Sequence, residues 1–327
     1  MVASNGPLLH LARTNSQFCD ARGILCNSYL ICNLQTSVIP RTWYTIVQVF
    51  TIMFRNSELE DGIAIACIAT TAVLGLSSNG ISLYIASTRS RFRNAFGILC
   101  RSFLICNLQA IFALSAWCII VLSVKSEELS SPELFFTRPI GVFVNGPYYG
   151  SLFVHFLISL NRFCAFAYAT KYNQLWSESR ALIAGIMSWV LGTTISMGHL
   201  DGGCSLTFHK NYTYRFSYSR SVVGKICSTT DALITTVAIT STACIDLITL
   251  TKILAYRRRM QETDTVSSAG ESSGEGRILF FRQSCILGLI YVFYIFTMVA
   301  HPYIFTNKWL LFASSTVSWI LVQSMDG

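Results

Sequence analysis

Residues 62–86 read GIAIACIATTAVLGLSSNGISLYIA, an unbroken run without one charged side chain. Coiled at the helical rise, those 25 residues reach about 37 Å. The hydrocarbon core of a bilayer is about 30 Å thick, so the run crosses it with a turn to spare. A helix suits that setting because it satisfies its backbone polar groups without water. SELED (57–61) precedes the run, and STRSRFRNA (87–95), with Arg89, Arg91 and Arg93, follows it. Basic flanks stay on the cytoplasmic side, so the N-terminal end of this span faces outside.

The pattern recurs along the chain. Apolar blocks of span length follow at about 96–124, 140–168, 181–198, 232–256, 278–300 and 309–327. The inside loops then carry Arg89, Arg91 and Arg93, next Lys171 and Arg180, and last Arg257, Arg258 and Arg259 with Arg277. The first outside loop holds Glu127, Glu128 and Glu133 against Lys125 and Arg138. The second, 199–230, breaks the trend with Lys210, Arg215, Arg220 and Lys225. Long loops translocate largely regardless of charge, which leaves the orientation standing. The same loop contains Asn211-Tyr212-Thr213, an acceptor triplet for glycosylation on the lumenal side. Residues 260–276 are rich in Ser and Gly and form a linker with too few apolar residues to fold alone.

Composition agrees. Hydrophobic residues make up 52% of the 327, charged residues 12%, and the mean hydropathy is +0.51. A soluble domain carries about 25% charged residues. The net charge of +8 does not point to nucleic acid, because the Lys and Arg residues sit in short clusters between apolar blocks. Most of the twelve cysteines lie inside those blocks, where Cys acts as a small hydrophobe. There is no HExxH, no GxSxG, no phosphate-binding Gly loop and no Cys/His set with metal spacing. The expectation is an all-α polytopic membrane protein, a seven-transmembrane helix bundle, with no enzymatic activity, no cofactor, no metal and no nucleic-acid partner.

Five separated motifs then stand in order: RNAFGILCRSFLICN (93–107), SLNRFCAF (159–166), IDLITLTKI (245–253), RILFFRQSC (277–285) and SWILVQSMDG (318–327). Together they resemble the nematode serpentine chemoreceptors of class x (Srx), a family of G-protein-coupled receptors, over about residues 61–327. The resemblance implies a receptor in the plasma membrane of sensory neurons. It would bind a small-molecule cue outside and activate a heterotrimeric G protein inside. Asn161-Arg162-Phe163 occupies the place of the acidic–Arg–aromatic triplet of rhodopsin-like receptors, so these three are the candidates for G-protein coupling. Asn161 replaces the acid, Ala169 stands where the family has Pro, and Ile320 and Gln323 stand where it more often has Glu and His.

Arg162 also admits a plainer reading, a snorkelling anchor at a helix end. Cys204 and Cys227 lie in the long outside loop, where an oxidising lumen favours a disulfide; closing such a loop contributes about 3 kcal/mol. No Cys lies near 140–150, so the inter-helix disulfide usual in rhodopsin-like receptors has no partner there. A bond within the loop is the expectation. Asn145, Tyr148, Tyr149 and His155 are assigned to the outer half of the third span. Polar groups at membrane depth face the bundle, as pocket residues or as hydrogen bonds between helices. His301 and Tyr303, after the sixth span, fit a pocket rim or an interfacial belt. Asp246 and Asn79 read as structural polar residues, the first contacting neighbouring helices and the second bonding to the second or seventh span.

An internal repeat precedes the bundle. SNGPLLHLARTNSQFCDARGILCNSYLICNLQ begins at Ser4 and SNGISLYIASTRSRFRNAFGILCRSFLICNLQ at Ser78, aligned without a gap, with Trp43 opposite Trp117. Residues 1–56 are therefore expected to duplicate part of the first two spans, through a real duplication or the joining of gene fragments. The apolar runs 23–39 and 42–54 are split by Pro40-Arg41, and no small-residue cleavage site marks a signal peptide. Residues 57–327 form the receptor-like domain, whose last helix is expected to be cut short. Two other readings stand beside the receptor. One is a membrane-inserted relic that does not signal; the other is a transporter or channel, for which the half-repeats and intramembrane charges are scarce.

Overall fold

The computed structural model describes residues 57–124, 133–209, 213–263 and 306–325, with a few isolated positions (126, 128–131, 290, 293 and 304). The repeat at 4–47, nearly all of the sixth span, Asn211, His301 and Tyr303 lie outside the described residues. Contacts divide the chain after Glu60, and the bundle belongs to the second unit, Asp61–Gly327.

Five helices come from the first five apolar blocks: α1 (Ser57–Thr88), α2 (Ala95–Val124), α3 (Arg138–Ala167), α4 (Glu178–Ser196) and α5 (Val222–Thr263). All five are long and apolar enough to cross a bilayer. Local chemistry sets several of their ends. Glu58 and Glu60 lie in the first turn of α1, where the helix dipole favours acids. Asn94 caps α2 by accepting from the Gly97 amide at 2.9 Å, and Ser177 caps α4 by accepting from Arg180 N. The seventh span consists of α6 (Lys308–Phe312), a π-helical turn at Ala313–Val317 and α7 (Ser318–Ser324). Asn307 caps it through the Trp309 amide at 2.8 Å.

One boundary and one loop differ from the sequence reading. The fifth helix starts about ten residues earlier than its apolar block, at Val222, because the Val-Val-Gly-Lys-Ile-Cys stretch continues the helix above the membrane. Its 42 residues span about 63 Å, so it projects beyond the bilayer. The loop ahead of it also holds a short antiparallel hairpin, β1 (Leu206–His209) with β2 (Arg215–Tyr218), the one sheet among the described residues.

Helix α3 packs against α2, α4 and α5. Its approach to α4 is set by small residues. A Cβ on Gly192 would sit 2.6 Å from both the Gly146 carbonyl oxygen and the Gly150 amide nitrogen. Gly146 and Gly150 are four apart on one face of α3, the spacing that lets two helices in lipid bring their backbones together. The α1 seam with the seventh span works similarly. A Cβ on Gly75 would overlap Ser324, the Ser78 hydroxyl donates to the Ser324 carbonyl at 2.9 Å, and Asn79 Nδ2 donates to the Gln323 carbonyl at 3.1 Å. Asn79 thus bonds to the seventh span. Large apolar side chains such as Val73, Ile81, Phe112, Ile183 and Leu233 point outward, as a lipid-facing surface requires.

Gly192→Ala is expected to destabilise the bundle by about 1–3 kcal/mol, since the new methyl meets backbone on both sides. Thermal unfolding of the purified protein in detergent measures this. Gly198→Ala, where a Cβ meets nothing within 4 Å, should leave the transition unchanged.

Candidate functional site

The outer ends of α3, α4 and α5 converge on a buried polar cluster. Asn145 Nδ2 lies 2.8 Å from His199 Nε2, and His199 Nδ1 lies 3.1 Å from the Cys204 carbonyl oxygen. His199 lies within the 3₁₀ turn Met197–Leu200 that extends α4, and it is 2% exposed. Asp231 of α5 approaches the same imidazole at 3.6 Å and is within hydrogen-bonding reach of the Tyr149 hydroxyl. Tyr148 pairs with Thr235 of α5 and meets the Trp319 ring edge-on at 5.6 Å.

Cys204 and Cys227 are joined by a disulfide with Cα atoms 5.7 Å apart. The bond is not internal to the loop, as the sequence reading had it. Cys227 lies on the second turn of α5, so the disulfide ties the loop to that helix, one turn before Asp231. The loop carbonyl that orients His199 is thereby held beside the helix that carries Asp231.

The hairpin fills the space next to this cluster. Phe208 and Tyr214 are buried in the core formed by α1, α2 and the seventh span. The backbone at Tyr214 adopts φ 47°, a left-handed conformation that costs a bulky residue about 1–2 kcal/mol. Several contacts hold it there. The Tyr214 hydroxyl donates to Asp61 Oδ1 at 2.8 Å, and the Thr316 hydroxyl of the π turn donates to the Tyr214 carbonyl at 2.7 Å. Lys308 Nζ stands 4.1 Å over the ring, which also packs on Trp309 and Phe312.

At the cytoplasmic end, Arg162 Nη1 lies 3.9 Å from Asp246 Oδ1, with side chains 12% and 4% exposed. The guanidinium also sits 5.7 Å from the Phe96 ring centroid. So an acid does face Arg162, supplied by α5 and not by position 161. Asn161 instead shares hydrogen bonds with the Tyr172 hydroxyl at 3.1 and 3.3 Å, fixing the short helical turn Tyr172–Leu175 of the second inside loop. Phe163 takes Lys252 Nζ over its ring at 5.0 Å.

Residues 69–327 match the family model described as serpentine type 7TM GPCR chemoreceptor Srx. The chain belongs to this family. No curated protein matches the chain.

In this Srx member, Asn145, Tyr148 and Tyr149 come together in the outer cluster, and Asn161, Arg162 and Phe163 in the inner one. His155 does not join the first three. It lies past the midpoint of α3, its ring 5.5 Å from Phe103, in the layer of Leu99, Val154, Ile158 and Ala181 at the cytoplasmic side. Its assignment to the outer half is corrected because α3 begins at Arg138 and each residue advances only about 1.5 Å. His199, Asp231, Thr235 and Tyr214 were missed by the sequence reading. Ionisable residues at the margins of apolar blocks were the available signal for the first two.

His209 lies opposite Arg215 in the hairpin register. Burial, and then the charges of Arg215 and Arg220, hold its imidazole below its ordinary pKa. A released hairpin therefore takes up a proton that the docked one refuses. The hairpin's contribution to stability is full above about pH 6.5 and falls as pH drops through that value. Melting of the detergent-solubilised protein should weaken between about pH 7 and pH 5.5, and His209→Asn should reduce that weakening. An identical pH dependence in the variant would remove His209 from the explanation.

Proposed function

We propose that the chain is a chemosensory receptor of the plasma membrane, expressed in sensory neurons. It binds a small-molecule cue among the outer ends of α3, α4 and α5 and activates a heterotrimeric G protein through Arg162. The observation that carries this reading is the buried Arg162–Asp246 pair at the cytoplasmic ends of α3 and α5. Two charges withdrawn from water are held only while they face one another, and removing one partner leaves the other uncompensated. Such a pair restrains the resting bundle. Separation of α3 from α5 would free the guanidinium to meet the G protein, in the manner of helix-shift switches. The Asn161–Tyr172 bonds hold the second inside loop beside that contact surface.

Nucleotide exchange on a co-expressed heterotrimer tests this. Arg162→Ala is expected to abolish exchange while surface delivery persists. Asp246→Asn is expected to raise exchange without added cue, because the restraint on Arg162 is lost. Normal signalling from Arg162→Ala, or unchanged basal exchange in a surface-delivered Asp246→Asn, would overturn the assignment. Full intracellular retention of the unmodified chain would favour a relic that does not signal.

A further inference from the structure

The outer cluster has a hydrogen-bond arrangement that constrains its charge. The Cys204 carbonyl can only accept, so His199 Nδ1 carries a proton. Asn145 Nδ2 can only donate, so His199 Nε2 accepts at 2.8 Å and carries none. Both bonds are satisfied together by the neutral Nδ1–H tautomer. That imidazole then presents a lone pair, not a cation, to the Asp231 carboxylate 3.6 Å away. Among the described residues, no lysine or arginine pairs with Asp231. A carboxylate set against tyrosines at the outer end of a bundle therefore stands without a counter-ion.

The surroundings fit one kind of guest. Asn145, Tyr149 and His199 are sealed at 4%, 1% and 2% exposure, whereas the Asp231 side chain is 20% exposed and forms the accessible edge. The Tyr148 and Tyr149 rings lie 5.6 Å apart beside it, and aromatic faces attract ammonium groups. Leu152, Ile239 and Val322 are buried in one apolar cluster with the two tyrosines, and Trp319 packs against it. We propose that this site binds a small organic cation, a protonated amine with an apolar body, which supplies the counter-ion that Asp231 lacks. Tyr148, the less buried of the two rings, adds cation–π attraction, and the apolar body adds its own release from water. This rests on the cue site proposed above and names its ligand class.

Thermal unfolding of the full-length receptor in detergent tests the idea independently of signalling. The probes are n-hexylammonium, 2-phenylethylammonium and benzyltrimethylammonium, each against a neutral counterpart: n-hexanol, 2-phenylethanol and neopentylbenzene. At least one cation is expected to raise the melting temperature by about 2 °C or more at saturation, with its neutral counterpart giving none of that rise. Asp231→Asn is expected to weaken the apparent affinity by at least about tenfold. Asp201→Asn, an outer-loop carboxylate, should keep the response. Equal shifts from cation and neutral probe, no shift from any cation, or a shift that survives Asp231→Asn would overturn the proposal. The cation–neutral comparison stands even if Asp231→Asn does not fold. Cation-specific stabilisation without nucleotide exchange would support this site and overturn only the coupling reading.

Discussion

The close approach of α3 and α4 at Gly146, Gly150 and Gly192 is the contact on which the rest of the bundle depends. Lipid supplies no hydrophobic force between helices, so their spacing follows from packing and from polar bonds. With the two backbones this near, the end of α4 carries His199 to within 2.8 Å of Asn145. The opposite side of α3 is left to face α5, and it presents Tyr148 and Tyr149 outside and Arg162 inside. A wider α3–α4 spacing would separate the imidazole from the amide and expose both to hydrocarbon.

Both polar clusters then fall on one helix pair. Helix α5 contributes Asp231 to the outer cluster and Asp246 to the inner one. Fifteen residues separate them, about 22 Å along a continuous helix. The disulfide at Cys227 fixes the outer end of that helix to the loop and leaves its long inner end without such a tie. The two acids are thus joined by one continuous helix that packs on α3. The seventh span departs from regular α-helix. Its π turn lies where Thr316 bonds to the hairpin, and π turns interrupt the regular ladder of a helix.

Much of this architecture was legible in the sequence. Span positions follow from block length, because a bilayer demands about 20 apolar residues whatever the fold. Arg162 drew notice through its place in an ordered motif, and the pairing of Cys204 with Cys227 was legible through the outside loop they share. Geometry between elements was not legible. Cys227 looked like a loop residue because Lys225 and the polar residues around it are tolerated where a helix leaves the membrane, so hydropathy could not mark the helix start. His155 was placed too far out although the block 140–168 already put it at the middle of the third span. The hairpin was hidden because four-residue strands give almost no alternation to read, and Tyr214 enters the core through a backbone conformation that no propensity scale favours for tyrosine.

The departure at position 161 gains a physical account from the inner cluster. An acid next to Arg162 would form a pair within one helix and would not respond to how helices are placed. With Asn161 turned to Tyr172 and the acid moved to Asp246, the guanidinium is held across the α3–α5 interface. The separation of 3.9 Å is an electrostatic contact without the geometry of a full hydrogen bond, supplemented by the Phe96 face. A pair of that kind is sensitive to displacements of an ångström or two, since its partners already sit at the limit of direct contact and neither is exposed to much water. The acid partner of Arg162 is thus supplied across the α3–α5 interface, so the length of the pair depends on the relative position of the two helices. That is the quantity an outside ligand seated between the same two helices would change.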